Sequence, residues 1–187
     1  MKKLLLGLAV GLGLAGCDQP PSNKIESEKN INQTGSHESK NGKWKTIVHE
    51  DEMRGTKSKW LALRSDNNAN LDFPYDGENH LNLDILDSKT GKPRIFLTID
   101  KGQYDCDEYG CYLPIKFGNS EIQTLTFKKY ETQGSDETIL IFSQNSQAFL
   151  QNIRNFRTMV VEIPFYRSGT RQFKFDLSNF NDAEKEI

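Results

Sequence analysis

Leu81-Asn82-Leu83-Asp84-Ile85 decides the fold class. Its apolar residues fall at every second position, with Asn82 and Asp84 between them. Successive side chains of a β-strand point to opposite faces, so a period of two predicts a strand with one buried face. The pattern recurs outward from this stretch. Ile95, Leu97 and Ile99 repeat it, as do Leu125 and Phe127 between Thr124, Thr126 and Lys128. Met159, Val161, Ile163 and Phe165 form another set, and Phe173, Phe175 and Leu177 alternate with Lys174 and Asp176. Shorter candidates lie at 44–48, 60–63, 112–117 and 138–142. Turn chemistry separates the runs at Pro74-Tyr75-Asp76-Gly77, Lys89-Thr90-Gly91-Lys92, Gly118-Asn119-Ser120 and Ser168-Gly169.

One segment breaks the rhythm. Phe149, Leu150, Ile153 and Phe156 are spaced i, i+1, i+4 and i+7, a helical stripe over 146–157 with Asn145 or Ser146 as N-cap. About eight to ten short strands with one helix predict a mainly β fold, an antiparallel β-sandwich or partly closed barrel. Pro114 and Pro164 interrupt apolar runs. Because proline cannot donate to a ladder, their strands are expected at edges or bulges.

The chain has 187 residues, 24 basic against 26 acidic side chains, 35% hydrophobic and 10% aromatic residues. Aromatics at that level support a packed core and exclude wholesale disorder. A formal charge of -2 gives no electrostatic footprint for nucleic acid. Past the N-terminus no apolar stretch reaches the 18 or so residues that a membrane-spanning helix needs, which excludes a polytopic membrane protein.

The N-terminus carries the most specific signal. Met1-Lys2-Lys3 is a positive n-region, and Leu4 to Gly16 is an apolar run of thirteen residues ending in Leu14-Ala15-Gly16-Cys17. Thirteen helical residues span about 20 Å, short of the ~30 Å hydrocarbon core, so a secretory signal is favoured over a membrane span. This stretch resembles the signal peptide and lipobox of bacterial membrane lipoproteins. The resemblance covers residues 1–17. It implies diacylglycerol on the Cys17 thiol, cleavage before Cys17 and N-acylation of the new terminus. Two or three acyl chains anchor stably where one binds marginally. Asp18 resembles the retention signal of enteric lipoproteins, which places the chain on the periplasmic face of the inner membrane, with the outer membrane as the alternative.

The expected organisation is a signal peptide at 1–16, a lipidated N-terminus and disordered tether at 17–43, one β-rich domain at 44–180, and a frayed tail at 181–187. Loss of Lys2 and Lys3 on cleavage takes the formal charge from -2 to -4. The segment 18–43 holds only Ile25 and Ile31 as large apolar residues, too little to offset its ordering entropy. As a flexible chain it reaches about 25–30 Å.

Cys106 and Cys111 remain after Cys17 is lipidated. An exported chain meets an oxidising compartment, where a leftover pair forms a disulfide. A thioredoxin-like redox pair has two intervening residues rather than four, and acidic neighbours suppress thiolate reactivity. The staple is expected at a hairpin tip displaying Asp105, Asp107, Glu108 and Tyr109.

Motifs for other chemistry are fragmentary. Asp66, Asn68, Asn70 and Asp72 place oxygens at positions 1, 3, 5 and 7 of a calcium-like loop, but Leu71 stands where glycine is needed and Gly77 where a bidentate Glu belongs. His49-Glu50-Asp51-Glu52 and His80 are the only other candidates for metal or acid–base work, and no G-x-S-x-G elbow presents a nucleophile. No cofactor site is read from the sequence beyond the lipid. Tyr104, Tyr109, Tyr112 and the Phe73-Pro74-Tyr75 stretch are candidates for an aromatic contact surface. The expectation is a non-enzymatic envelope lipoprotein that acts by contact with another envelope protein, in an accessory, exclusion or immunity-like role. A periplasmic binder of small molecules or glycans and an envelope hydrolase are the alternatives.

Overall fold

A computed structural model describes residues 42–132 and 137–187, and the backbone of His37 and Glu38. The expected signal segment, Cys17, Asp18 and most of the expected 17–43 tether lie outside the described residues.

The period-two runs become strands close to where they were expected: β1 (His37–Glu38), β2 (Lys45–Asp51), β3 (Thr56–Arg64), β4 (Leu81–Leu86), β5 (Arg94–Ile99), β6 (Cys111–Phe117), β7 (Gln123–Lys129), β8 (Ile139–Phe142), β9 (Thr158–Phe165) and β10 (Gly169–Asp176). They form one antiparallel sheet in the order β1-β2-β3-β4-β5-β8-β7-β6-β9-β10. Two residues of the expected tether therefore belong to the sheet, with His37 opposite Thr46 and Glu38 opposite Lys45. The fold is mainly β, as the alternation predicts, with its strands joined in one sheet that does not close. Among the described residues no ladder joins β10 back to the β1–β2 edge, yet the segment after β3 bridges the seam. Asp66 N–H donates to Lys174 O at 2.7 Å, and Lys174 N–H donates to Asn67 Oδ1 at 2.8 Å. Asn67 Nδ2 adds a bond to Gln172 O at 2.9 Å.

One side of the sheet carries the core. Leu81, Leu83 and Ile85 are fully buried, as are Ile95, Leu97, Leu113, Ile115, Val161, Ile163 and Phe173. Each such side chain contributes about 1.5–3 kcal/mol relative to exposure. α1 (Ser146–Asn155) follows the expected stripe, with Asn145 Oδ1 accepting from Ala148 N–H as N-cap at 3.1 Å. Phe149 of α1 packs edge-on against Phe117 at 5.4 Å, and lies 4.9 Å from the Phe142 ring.

Two expectations are corrected. The 181–187 segment is not frayed: α2 (Phe180–Ala183) and a 3-10 turn (Glu184–Glu186) close the domain. Phe180 stacks on Trp44 at 4.9 Å, both rings fully or almost fully buried, and Arg154 holds Glu184 through two hydrogen bonds of 3.2 and 2.8 Å. The prolines also do not mark edges, because β6 and β9 are both interior. The β6–β9 ladder covers just Ile115–Phe117 against Met159–Val161, so the two strands diverge before reaching Pro114 and Pro164. Gln103–Asp105 fills the gap beside β9: Tyr166 N–H donates to Gln103 O and Asp105 N–H to Pro164 O. Each proline thus turns its missing donor away from a ladder that needs it.

Candidate functional site

The face of the sheet opposite the core is the unusual surface. Register places its residues in rows across the strands. One row runs Lys45, Ala62, Asp84, Phe96, Ile141 and Lys128. Beside it run Ile47, Trp60, Leu86 and Arg94 on one flank, and Arg64, Asn82, Thr98 and Ile139 on the other. A solvated antiparallel face is ordinarily polar. Here Trp60, Ala62, Leu86, Ile139 and Ile141 lie half-buried on it, and Phe96 is only 9% exposed. Tyr130, just past β7, packs edge-on against Phe96 at 5.3 Å. Both helices bury their apolar residues in the core cluster on the other side.

Asp84 sits at the centre of this face. Trp60 Nε1–H donates to its Oδ1 at 3.2 Å, and the Thr98 hydroxyl supplies a second bond. Burial among these side chains pushes its carboxyl up to about 6, only partly offset by the Trp60 and Thr98 bonds. The strand period shows Asp84 pointing away from the core. What it conceals is that Trp60, two residues off in register on β3, reaches diagonally across and shields it.

Lys128 ends the central row and leads into the stapled loop. Cys106 and Cys111 form the expected disulfide, with Cα atoms 4.8 Å apart. The loop precedes β6 rather than capping a hairpin, which corrects the expected placement. Asp107 Oδ1 accepts from the Tyr109 and Gly110 N–H groups at 2.8 Å each, folding the loop tightly. Gly110 has φ 147°, and a Cβ there would meet Phe127 O at 2.6 Å, so the turn requires glycine. Between loop and β7 lies a groove of about 520 Å³, lined by Asp107, Glu108, Tyr109, Lys128, Lys129 and Glu131. Lys129 is engaged with Glu137 at 2.9 Å, which together with Gln103 holds the Glu137 carboxyl below its ordinary range. Tyr109 is 71% exposed and Tyr112, on the outer face of β6, 53%.

The expected tyrosine surface is therefore redrawn. Tyr109 and Tyr112 stand exposed, and Tyr130 does too. Tyr104 does not: it is 1% exposed, its ring packs on Phe165, and its hydroxyl donates to Thr138 O at 3.1 Å. Tyr75 is partly buried against the core beside a turn closed by its own N–H to Asp72 O.

The remaining candidates are not brought together. Asp66 pairs with Lys43 at 2.7 Å. Asn70 O accepts from Arg171 and Asp72 N–H donates to Ser168 Oγ. Asp66, Asn68, Asn70 and Asp72 are all exposed, on a segment that bends at Asp66 and Asn67. No group of three or more His, Cys, Asp or Glu suited to a metal occurs among the described residues. His49 lies opposite Ser58, while His80 contacts Ser65, about 23 Å further along β3. His80 Nδ1 bonds Ser65 O at 3.0 Å, and since a carbonyl only accepts, that nitrogen carries the proton. It therefore cannot act as base for Ser65 Oγ, which donates to Asn67 O at 2.7 Å. Asp100 holds the His80 backbone N–H and Arg64 rather than the imidazole. This Ser–His–Asp group ties strand ends together.

No helix among the described residues is long and apolar enough to cross a membrane. No protein-family model, curated protein or solved structure matches this chain.

Proposed function

We propose that the chain is a lipid-anchored envelope lipoprotein whose β-domain works non-enzymatically, by docking another envelope protein on the exterior face of its sheet. The observation that carries this reading is the apolar cluster on the face turned away from the core: half-buried Trp60 and Ile141, Phe96 at 9% exposure, and the exposed Tyr130 packed on Phe96. Tryptophan and tyrosine supply large contact area at low entropy cost and dominate the energetics of protein interfaces. The exposed Tyr109 and Tyr112 extend the surface past Lys128. The anchor part of the reading rests on Leu14-Ala15-Gly16-Cys17.

Two measurements test it. Intact mass of membrane-extracted protein should show cleavage before Cys17 and acyl chains on it. Cys17→Ser should release the protein from the membrane fraction. In membranes, a benzophenone amino acid in place of Tyr130 should cross-link one protein band, whereas the same group in place of Met53, 94% exposed at the β2–β3 turn, should not. A soluble, unacylated chain removes the anchor, and equal labelling from both positions removes the docking face.

A further inference from the structure

We infer that the partner presents a basic side chain, which enters between Trp60 and Phe96 and pairs with Asp84. This rests on the docking reading and names the chemistry of the occupant.

Charge complementarity selects the occupant. Asp84 is the only acidic side chain in the central row, and its bonds on the protein come from neutral donors, the Trp60 indole and the Thr98 hydroxyl. The basic groups of this face are held elsewhere or stand far off. Arg64 is paired with Asp100 at 2.8 Å and Arg94 with Asp87 at 2.8 Å. Lys45 and Lys128 occupy the two ends of the row, two and three strands from Asp84. At ~4.8 Å per strand their backbones are about 10 and 14 Å from that of Asp84. A carboxylate in an apolar setting without a cation is costly to keep charged. Covering it with an apolar partner surface would raise that cost, whereas a guanidinium or ammonium group would remove it. The aromatic rings on either side suit the same ligand, because a cation is attracted to an aromatic face, best of all that of tryptophan. A long basic side chain also has an aliphatic stem, which fits the Ala62, Leu86 and Ile141 surroundings.

The test uses the full chain in neutral detergent, labelled with 15N-tryptophan, which gives two indole signals, from Trp44 and Trp60. The probe is n-butylguanidinium and the control is n-butylurea, uncharged and of similar shape. The guanidinium should move the Trp60 signal saturably and leave that of buried Trp44 in place, while the urea moves neither. Asp84→Asn should raise the apparent dissociation constant at least tenfold, with an unchanged Trp44 signal reporting an intact fold. Equal response to urea, or undiminished binding by Asp84→Asn, overturns the inference. The Tyr130 cross-link separates the two ideas. If it forms undiminished in Asp84→Asn, the basic side chain is refuted and the docking face stands. If it never forms although the probe binds at Asp84, the docking reading falls and the cation site remains.

Discussion

Asp84 makes a prediction about stability that needs no partner. Its carboxyl titrates at about 6 in the folded chain against an ordinary value of 3.8. A carboxyl with a raised folded value holds its proton more tightly folded than unfolded, so stability is lost as pH rises from about 4 to 6. At 1.36 kcal/mol per decade, that interval amounts to about 3 kcal/mol. Asp84→Asn keeps the shape and still accepts from Trp60, but it cannot ionise. The difference in unfolding free energy between variant and wild type should therefore shift in favour of the variant by about 3 kcal/mol between pH 4 and 7.5, and be flat on either side of that window. Taking the difference cancels the other carboxylates, including Asp176, which Ser178 and Lys43 hold low, and Glu137. Urea titrations of both proteins at half-unit pH steps give the curve directly. In melting temperature the change is roughly 10 °C for a domain of this size. A difference that stays constant within about 0.5 kcal/mol across the range would show that Asp84 is not desolvated, and the account of the exterior face would fail with it.

Phe180→Ala should cost about 3–5 kcal/mol in urea unfolding, because the ring fills the core against Trp44; a frayed tail would give almost no change. Reduction of Cys106–Cys111, or Cys106→Ala with Cys111→Ala, should cost about 2 kcal/mol, the loop-closure value for so short a ring, read as a fall in melting temperature with and without dithiothreitol. Asn145→Ala removes the acceptor for the Ala148 N–H at the start of α1 and should cost about 1 kcal/mol, whereas Asn145→Ser should restore most of it.

The fold is legible wherever one residue type decides one face. Leu81, Leu83 and Ile85 announce β4, and Phe149, Leu150 and Ile153 announce α1, because burial period is a local property of the chain. Sequence and structure part where a distant segment changes what a local stretch becomes. Residues 181–187 look polar in sequence, yet Ala183 is fully buried and Glu184 finds Arg154 30 positions earlier. Pro114 and Pro164 read as edge markers because a proline lacks a donor. Nothing in their neighbourhood reveals that β6 and β9 part company before reaching them, or that Gln103–Asp105 runs alongside β9. Tyr104 carries the same lesson, since a tyrosine beside a charged loop is buried by Phe165, sixty-one positions away.

The exterior face is the least legible part, and the reason is physical. Alternation assigns Asn82, Asp84 and Leu86 to the solvent side of β4 without saying what their neighbours are. Those neighbours come from register: Ala62 and Phe96 flank Asp84 because β3 and β5 are both antiparallel to β4, and Ile141 joins because β8 inserts beside β5. A shift of one residue in any of these pairings would turn the opposite side chains outward and dismantle the row. The central acid, its aromatic neighbours and the distant cations are thus a property of strand order. An order that skips from β5 to β8 cannot be read from period alone. Placing a lone carboxylate among Trp60, Phe96 and Ile141 costs stability at neutral pH that an asparagine would not. The binding of a cation at Asp84 would recover that cost, so the stability penalty and the proposed contact are two readings of the same desolvated charge.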